Sequence, residues 1–255
     1  MNKDPILFEQ RNKIGIVTFN RPDVLNCFNI HTLRFFNEML NDLNESLKLR
    51  VIIFTGNGRA FCTGNDLKAK MTPEEAFEFT KMGRDVCLKI LNLPAITIAA
   101  VNGFALGGGF EFAMSTDFRI ASEKAVFGLP EVSIGLLPIW SGLTILPRLV
   151  GIQAAKEIMI TGNRYDLKKA KSLGLINKEV SSENFMESVI SYAKEFTKKD
   201  PNLVQMAKYM ANRALDYPLT KTSELAGEMF ELYASKDKKE KLKALRKDYF
   251  PDILQ

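Results

Sequence analysis

Apolar residues follow two rhythms along this chain, and the change between them divides it. Short β-branched runs at 14–19 (IGIVTF), 51–56 (VIIFTG), 95–101 (AITIAAV) and 118–121 (FRIA) predict strands. Between the first two, Leu33, Phe36, Leu40, Leu43 and Leu47 recur at the spacing of one helical stripe. A second helical pattern starts near Pro73 and stops at Leu93-Pro94, because proline cannot continue the hydrogen-bond ladder. Asp166 has the position of a cap for a short helix that closes at Gly174. Strand and helix alternate through the first 150 residues, the mark of an α/β layered fold. Beyond residue 182 the strand signals end. Helical patterns follow at about 183–199, 203–215, 222–235 and 238–248, broken by Asp200-Pro201, Pro218 and Ser235. The expected organisation is a core over 1–182 and a C-terminal helical region over 183–255. Stripes in the latter, including Leu225, Met229 and Leu232, are expected to need cover from another subunit.

Composition adds limits. With 46% hydrophobic and 25% charged residues among 255, the chain can bury a full core. Residues 1–12 lack the apolar run of a signal peptide, and no uncharged apolar stretch is long enough to span a membrane. Three dispersed cysteines (Cys27, Cys62 and Cys87) and one histidine (His31) give no zinc-site spacing, so a reducing cytoplasm is the expected home. The net charge of +5 is concentrated between Lys236 and Asp248, where seven Lys/Arg face three Asp/Glu. Such a stretch suits either an anionic ligand or a plain solvated helix face.

The familiar nucleotide and hydrolase motifs are missing. No phosphate loop of the G-x-x-x-x-G-K-[ST] type occurs, and Phe61 stands where Gly56-Asn57-Gly58 would need a third glycine. G-x-S-x-G is absent as well, and His31 reads as a surface residue in a first helical turn. Gly107-Gly108-Gly109 is more informative, since it lies between a strand and the helical pattern FEFAMSTD. Free N–H groups there suit an anion or a carbonyl oxygen gaining negative charge; tight strand–helix packing would equally call for glycine. Glu111 follows in the first turn and Glu131 follows Pro130. Paired carboxylates beside an oxyanion site suit proton transfer next to a carbonyl, although each glutamate alone also fits an ordinary helix start.

Taken as a set, these segments resemble the enoyl-CoA hydratase/isomerase (crotonase) family from about residue 5 to the C-terminus. FNRPDVLN (19–26), FCTGNDL (61–67), NGFALGGGFE (102–111), FGLPEVSIGLLP (127–138), LPRLVG (146–151) and TGNRYDLKKAKSLGLIN (161–177) occur in family order. The resemblance implies a crotonase-like α/β spiral of ββα units with C-terminal helices, assembled as a homotrimer or homohexamer. It implies an oxyanion hole from the main-chain amides of Asn65 and Gly108, and a coenzyme A lining from Asn65, Asp66, Leu67 and Lys68. Lys68 can meet phosphate or stay solvated. Hydratases of the family carry both glutamates and many isomerases only the later one. This chain therefore resembles the hydratases, with Glu111 activating water and Glu131 delivering a proton to the α-carbon. No metal or other cofactor is implied, coenzyme A being part of the acyl-CoA substrate.

The chain departs from the family pattern in three places. Asn65 replaces a common alanine, which a main-chain role tolerates. Ile139-Trp140-Ser141-Gly142 stands where small residues are usual, so Trp140 either shortens the acyl pocket or packs under the helix. The tail reads Lys238-Lys239-Glu240-Lys241 in place of the usual Glu-Gly. An isomerase on the same scaffold is the alternative reading. A non-catalytic RNA-binding relative is a third, with no RNA-binding signature to support it.

Overall fold

The computed structural model describes residues 4–46 and 48–234. Its frame is a six-stranded sheet built from β1 (Ile6–Arg11), β2 (Ile14–Phe19), β3 (Val51–Gly56), β5 (Ile96–Val101), β7 (Phe118–Ser122) and β10 (Lys178–Val180), paired in that order. The β1/β2 hairpin is antiparallel and every other pairing is parallel. A second sheet pairs β4 (Ala60–Cys62), β6 (Phe104–Leu106), β8 (Val126–Gly128) and β9 (Arg164–Asp166). Strands β3, β5 and β7 of the large sheet are each followed by β4, β6 and β8 of the small one. Helices α1 (Ile30–Glu45), α2 (Pro73–Asn92) and α3 (Gly108–Met114) carry the chain back to the large sheet. The result is a spiral of ββα turns, as the resemblance implies.

The strands read as continuous apolar runs because both faces of the large sheet are covered. Alternation sends Val17, Phe19, Ile52, Phe54, Ala99, Val101 and Ala121 to the inner core between the sheets. Ile14, Ile16, Val51, Ile53, Ile96, Ile98 and Ile120 point the other way, onto α7 (Phe185–Phe196) through its Phe185, Val189 and Ala193. The inner core is dominated by aromatic rings: Phe19 meets Phe28, Phe36 and Phe61 edge-on at 5.3 Å. Such pairs add about 0.5–1.5 kcal/mol each beyond burial.

The strong local signals give the elements expected of them. Strands predicted at 14–19 and 51–56 form over those residues, and α2 starts at Pro73 behind a Thr72–Glu75 capping box and ends before Pro94. The Asp166 side chain accepts from the Lys169 amide and caps α6 (Leu167–Ser172). Helix α1 carries the expected stripe as far as Leu43; Leu47 lies outside the described residues. After α7 come α8 (Pro201–Arg213), capped by Asp200, and α9 (Leu219–Ala234). The basic stretch 236–248 lies outside the described residues.

Lys208 of α8 reaches into the core, where it pairs with Asp117 at 2.8 Å and donates to the Ala95 carbonyl. That ties α8 to the start of β5 and to the turn between α3 and β7. In α9, Leu225 and Met229 are buried within the single chain, which differs from the expectation that they need outside cover. Among the described residues of this region, Leu215, Leu219 and Phe230 are the most exposed apolar side chains. No helix among the described residues is long and apolar enough to cross a membrane.

Candidate active site

Each residue of the glycine run answers a separate steric demand. Gly107 has φ +52°, in the region an L side chain avoids, and a Cβ there would stand 3.0 Å from Glu131 Oε1. A Cβ on Gly108 would run into the Trp140 ring, and one on Gly109 would lie 2.0 Å from the Cys62 carbonyl oxygen. Glycine therefore lets β6 turn sharply into α3 while α3 is pressed between β4, Glu131 and an indole.

The segment after β4 approaches the same point. Gly64 takes φ +79°, and a Cβ on it would lie 2.7 Å from the Gly108 nitrogen. Asn65 pairs in a bridge with Phe28, whose N–H donates to Gly64 and whose carbonyl accepts from Asp66. The two backbone segments expected to supply an oxyanion hole are thus held against each other.

Arg21 and Asn26, in the FNRPDVLN stretch, brace that approach. Arg21 Nη1 donates to the Cys27 carbonyl and Nη2 contacts Asp66 at 3.2 Å. Buried Asn26 donates to the carbonyls of Asn57 and Ala60 and accepts from the Arg21 amide. Asp66 is therefore engaged with Arg21, whereas Leu67 and Lys68 are exposed.

Glu111 projects from the first turn of α3 and is almost fully buried. Its Oε1 accepts from the amides of Ser141 and Gly142, each at 2.8 Å, just before α4 (Gly142–Val150). Burial raises its pKa above the usual carboxylate range, against the opposing pull of these N–H groups and that of Trp140. Glu131 opens a 3-10 turn, Glu131–Ile134, after Pro130. Its Oε2 is buried without a hydrogen-bond partner. Burial, reinforced by the charge of Glu111, pushes its pKa up to about 7.

The structure brings Glu111, Glu131, Gly108 and the Asn65 segment together. His31 is exposed in the first turn of α1, away from this arrangement. Sequence reading missed the 140–142 amides that hold Glu111, the Arg21–Asn26 brace and Arg119. Buried Arg119 donates to the Thr116 and Leu175 carbonyls and so fixes the C-terminal end of α3. The FNRPDVLN match marked the brace without assigning it a role. Nothing in the spacing of the 140–142 segment announced which carboxylate it would meet.

This arrangement can bind an oxygen that becomes negative and can move protons on carbons nearby. Comparison with known proteins identifies the family. The sequence profile described as enoyl-CoA hydratase/isomerase matches residues 9–249. The short-chain-enoyl-CoA hydratase of Clostridium acetobutylicum is 35% identical over 244 residues, covering 93% of this chain and 94% of that protein. The crotonyl-CoA hydratase of Syntrophomonas wolfei is 34% identical over 248 residues, covering 96% and 95%. The crystal structure of an enoyl-CoA hydratase from Bacillus anthracis superposes with a TM-score of 0.87 at 33% identity, covering 95% of this chain and 96% of that one. By sequence and by fold, this chain belongs to the enoyl-CoA hydratase/isomerase (crotonase) family.

Proposed function

We propose that this protein is an enoyl-CoA hydratase, adding water reversibly to a 2-enoyl-CoA to give a 3-hydroxyacyl-CoA. The observation that carries the reading is the pair of buried carboxylates beside the start of α3. One is held by main-chain amides; the other keeps an unpartnered oxygen. The thioester oxygen sits on the amides of Asn65 and Gly108. Glu111 has Oε1 committed to the amides of Ser141 and Gly142, which leaves Oε2 to take a proton from water. As the water oxygen bonds to the β-carbon, the double-bond electrons move to the thioester oxygen, where the amides hold the enolate. The enolate collapses as Glu131 delivers a proton to the α-carbon, and the proton gained by Glu111 balances the one Glu131 gives. The chemistry is ionic throughout and asks for no metal or redox cofactor. A pKa of about 7 suits Glu131 to donate near neutral pH.

Around this centre, Asn65, Asp66, Leu67 and Lys68 are proposed to line the coenzyme A moiety, with exposed Lys68 toward its phosphates. The region from residue 183 is proposed to assemble a homotrimer or homohexamer, consistent with the exposed Leu215, Leu219 and Phe230. Light scattering that finds only the 28.7 kDa chain at micromolar concentration would refute the assembly. The cytoplasm is the proposed location. The direct test of function is loss of the enoyl-thioester absorbance when crotonyl-CoA is added to the purified protein. Turnover abolished together with either glutamate supports the reading; no turnover by the native protein overturns it.

A further inference from the structure

Trp140 is the chain's single tryptophan and is nearly buried, at 6% exposure. Its indole stacks on Phe112 of α3 at 5.2 Å and meets Phe79 of α2 edge-on at 5.4 Å. Two glycines make room for it. A Cβ on Gly108 would lie 2.2 Å from its Cζ3, and a Cβ on Gly83 of α2 would lie 2.0 Å from its Cε2. The indole thus spans the gap between α2 and the residue whose amide holds the thioester oxygen.

The same tryptophan borders a solvent-open cavity of about 750 Å³ between α2, α4 and α8. Leu88, Met114, Ile145 and Leu149 line it beside Trp140, while Gly108, Glu111 and Glu131 do not. The indole therefore stands between the reacting groups and a large, partly apolar space. Its backbone belongs to the 140–142 segment that holds Glu111. An acyl chain with its carbonyl on Gly108 and its β-carbon beside Glu111 must meet this segment as it continues.

We infer that Trp140 is the specificity-determining residue of the acyl pocket, a plug that restricts the enzyme to short enoyl chains and closes off the cavity behind it. The inference rests on the hydratase reading for where the thioester lies. Widening the site by removal of the indole should admit longer chains. A single methylene in an apolar pocket changes discrimination by about 10- to 200-fold. A conservative expectation for several methylenes is a shift of at least about 10-fold.

The experiment compares crotonyl-CoA with oct-2-enoyl-CoA in the native protein, Trp140→Phe and Trp140→Ala. The native protein should favour the short substrate by at least about 10-fold in kcat/KM, and Trp140→Ala should move the ratio toward the long one by a similar factor. Trp140→Phe should fall between. Butyryl-CoA and octanoyl-CoA, titrated calorimetrically, give the same comparison without turnover. The plug is overturned if the native protein handles both lengths equally, or if folded Trp140→Ala keeps the native ratio in turnover and in binding. Should Trp140→Ala fail to fold, the native ratio and Trp140→Phe decide. Native fluorescence decides too, because butyryl-CoA should change the tryptophan emission beyond any change caused by coenzyme A, and an unchanged signal would count against the plug. Absence of hydration at either length refutes the hydratase reading, and the binding comparison then judges the plug separately.

Discussion

The surroundings of Glu111 and of Glu131 differ more than their shared chemistry suggests. Glu111 is fastened: two amides from a neighbouring segment donate to one of its oxygens. Glu131 is buried nearly as well, yet one of its oxygens has no partner. Main-chain N–H groups favour the ionised form of the first carboxyl and partly offset its burial. The second meets mainly desolvation and a like charge, and holds its proton to about 7. In the proposed mechanism these surroundings suit Glu111 to take a proton from water and Glu131 to donate one. Environment, not identity, assigns the roles.

The severest way to break the comparison is to remove the frame both glutamates share. Gly108→Pro deletes the amide proposed for the oxyanion hole and places a ring where Trp140 stands, and should lower hydration by about 100- to 1,000-fold or more. Steady-state assays with a circular-dichroism check on folding would show it. Glu111→Gln and Glu131→Gln should each cost at least about 100-fold, the lower end for general acid–base groups. Near-native turnover in both, with the fold intact, would remove the two-carboxylate mechanism.

Stability should separate the pair further. An unfolded glutamate ionises near 4.5, whereas folded Glu131 keeps its proton to about 7. Between those values the folded state binds more protons, so this group makes stability fall as pH rises, levelling above about 7. Glu131→Gln escapes that loss. It should gain about 3 kcal/mol over the native protein at pH 8 and nothing at pH 4, as read by urea unfolding. The hydration kcat/KM should show an alkaline limb near pH 7 in the native protein, because a deprotonated Glu131 cannot donate. A profile flat from pH 6 to 9 would contradict its role as the acid. The smallest effect should come from Asn65→Ala, within about 0.5 kcal/mol in activation free energy, since only its main-chain amide is invoked. A large loss would reveal a side-chain role.

Much of this was legible in the sequence because strong local patterns coincide with the frame of the fold. Strands β2 and β3, helix α2 between Pro73 and Pro94, and α6 behind Asp166 follow from periodicity, prolines and one cap. The small sheet was not legible, because three-residue strands such as Ala60–Cys62 and Phe104–Leu106 are too short to show alternation. Leu225 and Met229 looked uncovered because amphipathicity marks an apolar face without saying what covers it. Gly108, Glu111 and Glu131 stood out through the motifs around them. The amides of Ser141 and Gly142 did not, since any residue supplies an N–H and only the path of the chain decides where it points.

The close contact between Gly64 and Gly108 has a consequence for how activity emerges during folding. Its partners lie on separate turns of the spiral, and Glu131 and the 140–142 segment come from later stretches of chain. No hairpin or single ββα turn contains the whole constellation, so the site is made of contacts between residues far apart in sequence. Such contacts require loops to close before they stabilise anything, and they belong to the slow, cooperative part of folding. A partly folded chain would hold fragments of the proposed oxyanion hole or one carboxylate without the geometry that joins them. Turnover is therefore a report on the integrity of the whole spiral.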